Sequence, residues 1–333
     1  MTARRESFLS SWGGSPVFRA MLALTAVVLI GVIFNADGAF YAWHTHRDML
    51  RQVSVYGILA CGMTLVIIAA GIDLSVGSVL GLVAVLFSIL TIHWGWSAWV
   101  AIPLCLAAGT GCGLVSGTFI ARYKLQPFIV TLAMMVFARG LAKHLSDGKK
   151  VSTYLELPGG TFKTVDLPTI YSLVDTRVFG GNIAVVTIVF LLCVALAWFV
   201  LSLTRSGRHL YAVGGNETAA HLSGVPVFLV KLLAYGASGF FAAVAGICQA
   251  AQETQGDPEA GSSYELSAIA IVVIGGTNLM GGRGSVLLTL LGALTIGYLE
   301  KILSLNAVGE ASRLMLTGAI IVAAVLLQRR RTP

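Results

Sequence analysis

The sequence has 333 residues, of which 56% are hydrophobic and 11% charged, with a formal charge of +7. A soluble domain carries about 25% charged residues, so this chain cannot present an ordinary wet surface and lipid is the solvent for most of it. Its basic residues are scattered between apolar runs, which points away from a nucleic-acid partner and towards membrane orientation.

Arg4 and Arg5 precede the apolar run 17–34. That run is too long for a secretory h-region and no A-x-A site follows it, so it reads as an uncleaved first helix. A bilayer crossing takes about 20 mostly apolar residues. On that measure ten spans are expected, at 17–34, 53–70, 76–92, 99–120, 127–145, 183–203, 227–250, 266–279, 286–303 and 313–327. The fold class is all-α, a polytopic membrane protein, and the short eighth span is expected to be tilted, broken or re-entrant.

An even number of spans puts both termini on one side. That side holds Arg4, Arg5, the "ARYKLQ" turn, the 204–226 loop, "GGRGS" and the terminal "RRR". Basic residues set hard against spans mark the cytoplasmic face, so both termini are expected there. Residues 1–16 then form a cytoplasmic N-terminal segment, 17–327 one transmembrane domain, and 328–333 a basic tail. The loop 146–182, with Pro158, Gly159, Gly160 and Pro168, is expected to be a partly ordered cap on the outer face.

Small residues set where helices meet, because lipid gives apolar side chains no drive to associate. Gly109, Gly113 and Gly117 share one face of the fourth span, and Gly77 with Gly81 repeats the spacing in the third. Gly239 with Ala243, and Ala242 with Gly246, do so in the seventh. These faces are expected to be helix–helix seams; a glycine-lined pathway is the alternative.

Several chemistries are missing. Cys61, Cys105, Cys112, Cys193 and Cys248 all lie in apolar runs without a C-x-x-C pair, and read as reduced packing residues. His44 and His46 make an H-x-H on the expected loop before the second span, a weak metal signal. No metal site or cofactor is expected. There is no H-E-x-x-H, no G-x-S-x-G and no Walker A motif, since Gly148–Lys149 is followed by Lys150. Nothing here cradles a nucleotide, so any energy from ATP must enter through another chain.

Three stretches remain. "AAGIDLSVGS", 69–78, places Asp73 between two spans. At a hairpin tip Asp73 would escape most of the cost of a charge in lipid and cap the third span through Ser75 or Val76. Alternatively, Asp73 and Arg283 form a gate, as an ion pair broken on opening. "GGNETAAHLSGVP", 214–226, reads as a short helix with Asn216 as N-cap, Glu217 in the first turn, Gly224 just past the end and Pro226 forbidding continuation. Its exposed face would offer Glu217, Ala220, His221 and Leu222 or Ser223. "AIAIVVIGGTNLMGGRGS", 268–285, interrupts an apolar run with glycines and resembles the first stretch. Paired interrupted helices of this kind occur in transporters. By the span count both turns fall on the same side.

These residues, with "QPFIVTLAMM" and "VLLTLLGALTIGYL", resemble the permeases of the ribose/xylose/arabinose branch of bacterial ABC sugar importers, in order from about 53 to 327. The resemblance implies a multi-pass inner-membrane permease subunit that is not itself an enzyme. It implies a second permease copy or paralogue, cytoplasmic ATP-binding subunits and a periplasmic solute-binding protein as partners. It implies that Gly215, Asn216, Glu217, Ala219, Ala220, His221, Leu222, Ser223 and Gly224 dock on the ATPase. The gate or pathway is expected at Gly71, Asp73, Ser75, Gly77, Asn278, Gly281, Gly282 and Arg283. The polar span residues Thr64, Ser88, Thr131 and Gln249 suit a monosaccharide or similar polyol, translocated by alternating access. Two departures, Ala70–Gly71 for a glycine pair and "YELS" at 264–267, leave the sugar open. The other reading is an ion-coupled secondary transporter, for which Asp73 and Glu300, both near span ends, would be the coupling carboxylates.

Overall fold

The structure, a computed structural model, describes residues 15–157, 161–309 and the eight residues 311–313, 315, 316, 318, 319 and 322. Among them, eight helices are long and apolar enough to cross a membrane. In chain order the first five are α1 (Pro16–Ile33), α2 (Trp43–Ile68), α3 (Val76–Ser88, extended by the π-helical turn Ile89–His93), α4 (Ala98–Tyr123) and α5 (Pro127–Leu145). A small cap follows: the hairpin β1 (Tyr154–Leu157) and β2 (Thr161–Thr164), α6 (Thr169–Asp175), and the short pair β3 (Arg177–Val178) and β4 (Ile183–Ala184). The chain then returns through α7 (Val185–Leu203), an arm of α8 (Arg205–Gly215) and α9 (Glu217–Leu222), and α10 (Val227–Glu253). The short α11 (Tyr264–Ile274) and α12 (Val286–Leu305) complete the described bundle.

Helical residues recur between 311 and 322, where the tenth span is expected to begin. The rest of 313–327 lies outside the described residues, as do Arg4, Arg5, Pro158, Gly159, Gly160 and the 329–331 arginines. Two boundaries depart from the sequence reading. Helix α2 starts ten residues earlier than the apolar run, so His44 and His46 are helical, and His46 Nδ1 lies 3.3 Å from the Tyr298 hydroxyl. Glu300 lies inside α12 rather than at its end.

Helices α2 and α3 are the most enclosed, and α10 packs against α4, α2 and α3. Glycine permits this crowding. A Cβ at Gly113 would come within 2.8 Å of the Tyr235 carbonyl carbon, and one at Gly109 within 2.7 Å of the Gly239 carbonyl oxygen. Gly117 sits on Leu232, and Gly246 on Leu80 and Val83. The α4 and α10 glycines therefore form a helix seam. Gly77 and Gly81 face Gly261 and Ala260 of a non-helical stretch, together with the side chains of Glu265 on α11 and Arg139 on α5.

The cap is tied to the bundle by polar contacts. Tyr171, fully buried, donates to Ser88 Oγ at 2.9 Å; Arg51 pairs with Asp175, and Arg177 with Asp48 at 2.5 Å. Val151 and Gly256 exchange backbone hydrogen bonds of 2.8 Å, and Lys150 Nζ lies 2.9 Å from Asp257. Asp257, through its hydrogen bond and its charge, raises the Lys150 ammonium above its ordinary value. The Lys150 contribution is therefore fully present below pH 10.5 and is lost as pH rises through the raised ammonium value.

Two outcomes are expected. Gly113→Val forces backbone apart and should cost about 1–3 kcal/mol, read as a lower melting temperature in detergent; unchanged melting would refute the seam. Asp257→Asn should speed amide exchange at Val151 and Gly256 several-fold against the parent at pH 7; equal rates would refute the tie.

Candidate functional site: two interrupted helices and an exposed arm

Asp73 is 1% exposed. The 69–75 turn is therefore not a wetted hairpin tip, as its sequence led us to expect, but folds back into the bundle. A Cβ at Gly71 would meet the Tyr235 side chain, and Tyr235 Oη and Thr131 Oγ1 each donate to the Ile72 carbonyl at 3.4 Å. Asp73 Oδ1 accepts from Ser75 N at 3.0 Å and from Ser75 Oγ at 2.6 Å. It thus closes an Asx turn just ahead of α3, where the helix end favours negative charge. The proposed Asp73–Arg283 ion pair is absent among the described residues. Asp73 is enclosed beneath α10, whereas Arg283 is exposed and its carbonyl accepts from Asn278 N at 2.9 Å.

Depth follows from register. Helix α10 has 27 residues, about 40 Å at 1.5 Å per residue. Leu80 and Val83 pack on Gly246 and Gly71 on Tyr235, so α3 begins near the middle of α10. From the cap end, a second irregular stretch, 254–263, descends beside α3. Gly256 lies against Ala84 and Ser88, Ala260 against Gly81, and Gly261 against Gly77. Helix α11 starts only there, with the Tyr264 ring 4.4 Å from that of Tyr56 on α2. The short eighth span is thus a broken one: irregular in one half, helical in the other. Two interrupted helices meet N-terminus to N-terminus at mid-depth.

The turn between α11 and α12 holds itself together. Asn278 Nδ2 donates to Gly281 O at 3.2 Å, Met280 N to Asn278 Oδ1 at 3.2 Å, and Ser285 Oγ caps α12 at Leu287 N, 3.3 Å. Gly281 and Gly282 have φ of +84° and +70°, a region glycine enters freely. Gly282 N donates to Ile68 O at 2.9 Å, and a Cβ on Gly214 would fall 2.7 Å from Gly282 N. Tyr211 Oη donates to Gly284 O at 2.9 Å. The end of α2, the end of α8 and the 276–285 turn are therefore in backbone contact, so both turns and the arm share one end of the bundle.

The arm was only partly anticipated. Its second helix is α9, N-capped by Asn216 Oδ1 accepting from Ala219 N at 2.9 Å, and the chain leaves it through Gly224 at φ +80°. Lys231 pairs with Glu217 at 2.7 Å. Gly215, Glu217, Ala219, His221, Ser223 and Gly224 are exposed, and Leu222 is 82% exposed. Ala220, expected on the exposed face, is buried. Helix α8, N-capped by Thr204 accepting from Gly207 N at 3.1 Å, was missed.

A cavity of about 480 Å³ opens between α3, α5 and the irregular stretch. Its wall includes Ser78, Arg139, Lys143, Glu259, Ser263 and Glu265. Arg139 Nη1 donates to Ala260 O at 2.8 Å and to Pro258 O, and Lys143 pairs with Glu259 at 2.5 Å. None of these residues was singled out as a site in the sequence; the available signal was a charged side chain, Arg139, within an apolar run. No group of three metal-ligating side chains occurs among the described residues.

A ribose import permease protein, RbsC, of Haemophilus influenzae is 40% identical over 92% of this chain and 91% of its own length. A fructose import permease protein, FrcC, of Rhizobium meliloti is 34% identical over 97% and 87%, and a xylose transport system permease protein, XylH, of Escherichia coli 33% over 92% and 90%. No solved structure matches. Residues 47–325 match the family described as branched-chain amino acid transport system / permease component, and with interrupted helices set among the eight long apolar helices of the described residues, the chain belongs to that permease family.

Proposed function

We propose that this chain is the membrane subunit of an ATP-driven importer that moves a monosaccharide or similar polyol across the bacterial inner membrane by alternating access. One observation carries the reading: relatives named for ribose, fructose and xylose import match nine-tenths or more of this chain. The sequence holds no phosphate cradle, which fits an engine on a separate cytoplasmic ATP-binding chain. A solute-binding protein on the opposite side delivers the sugar, and a second copy or paralogue completes the permease.

In this reading the arm end faces the cytoplasm, with both termini. Helix α9 is the handle, since it is short, capped at its start and exposed at Leu222. Its motion reaches the interrupted helices through the backbone contacts of Gly214 with Ile68 and Gly282. Asp73 holds the start of α3 at that junction and acts as a positioning group. The ion-coupled alternative gains nothing from the relatives, all of which are named as import permeases or permease components of transport systems. The two readings separate in vesicles: the importer takes up sugar only with its ATP-binding and solute-binding partners, whereas the secondary transporter would do so alone.

Leu222→Asp should leave the amount of folded permease unchanged and cut ATP-driven uptake at least tenfold, with ATP hydrolysis no longer raised by the loaded binding protein. Uptake at the parental rate would remove α9 from the coupling role. Gly214→Ala, which drives a Cβ into the Ile68 carbonyl, should uncouple hydrolysis from uptake in the same assay. Asp73→Asn keeps the Asx turn and should lower uptake by less than Gly214→Ala does; complete loss would restore the charge itself to the mechanism.

A further inference from the structure

Non-helical backbone at membrane depth persists only where protein or a water-filled cavity satisfies it. The stretch 254–263 meets that condition on one side through Arg139, which takes the Pro258 and Ala260 carbonyls. Its other side faces the cavity. There Ser78, 3% exposed, has no hydrogen-bond partner among the described residues. Glu265 makes no ion pair among them either, while Lys143 and Glu259 neutralise each other. A carboxylate without an ion pair and a hydroxyl without a partner thus leave hydrogen-bonding capacity facing the cavity beside the starts of α3 and α11.

Resting on the importer reading, we propose that this cavity is a binding site for the neutral polyol in transit, in which Glu265 and Ser78 hydrogen-bond its hydroxyls and Ser263 lines the wall. Arg139 and Lys143 balance Glu259 and Glu265, so the wall carries no net charge, and its carboxylate and hydroxyl groups suit the hydroxyls of a neutral sugar. Arg139 is a positioning residue: its guanidinium holds the carbonyls of 258 and 260 and so sets the shape of the wall. The cavity opens sideways past Val136, which is 64% exposed. A second permease copy closes that side.

The test uses the complete transporter in vesicles with ATP and labelled ribose, xylose and fructose. Glu265→Gln and Ser78→Ala should each lower uptake about tenfold, the loss of one hydrogen bond to a charged or buried group. Stimulation of ATP hydrolysis by the loaded binding protein should stay within twofold of the parent. Uptake in both variants at the parental rate and KM overturns the site. A second measurement does not depend on those variants folding: in Ser262→Cys, on the cavity wall, reaction with a small thiol reagent should be slowed by the transported free sugar. Equal labelling with and without each of the three sugars overturns the site as well. A parent protein that imports none of the three with ATP and partners present sinks the importer reading instead, so the two failures are distinguishable.

Discussion

Exposed peptide groups cannot be left in lipid, where each unsatisfied N–H or C=O costs several kcal/mol, and this protein carries two non-helical stretches at depth. Its architecture follows from how those stretches are served. The Ile72 carbonyl is met by Tyr235 from α10 and Thr131 from α5. Carbonyls of the second stretch are met by Arg139, again from α5. At the junction, Gly282 N finds the Ile68 carbonyl, one of the last of α2. Two spans, α5 and α10, therefore act as the supports without which neither interruption could exist in a membrane.

Such service requires close approach, and small residues provide it. Gly109, Gly113 and Gly117 let α4 lie at backbone distance from α10 around Tyr235, whose hydroxyl meets Ile72. With Gly246 accepting Leu80 and Val83, α10 touches three partners at once. Dispersion contacts replace the hydrophobic drive that lipid removes, so the seam is both the packing core and the device that positions polar groups.

The spans were legible in the sequence because lipid imposes one length rule on every crossing, and even the shortness of the eighth run was visible. What failed was depth. "TQGDPEAGSS", 254–263, reads as an outer loop by every local criterion, with its proline, glycines and acids. Only the row of contacts from Gly256 to Gly261 along α3 shows that it descends. The same blindness moved Asp73 to a surface tip: a glycine–aspartate turn looks alike whether water or Tyr235 lies beyond it. Helix α8 escaped because "TRSGRHLYAVGG" is polar and glycine-rich, and its start signal, Thr204, stood as the first residue of the expected 204–226 loop. Arg139 and Glu265 belong to one site only through a fold that brings residues far apart in the chain onto one wall.

The two interruptions are anchored to different things, and that difference decides what motion is open to them. The arm-end turns are joined backbone to backbone with α8, where glycine leaves no side chain to flex. A displacement of the arm must move Ile68 and Gly282 or break their hydrogen bond. The cap-end stretch is held instead by Arg139, by the Val151–Gly256 bridge and by the Lys150–Asp257 and Lys143–Glu259 pairs. Exposed pairs of this kind are each worth about 0–1 kcal/mol, so that tether yields in small steps while the junction at the opposite end moves as a unit. In the importer reading, with the α8–α9 arm as a stiff handle on one side and the 254–263 stretch as a compliant latch on the other, the proposed path can open one way without opening the other, which is the asymmetry that alternating access demands.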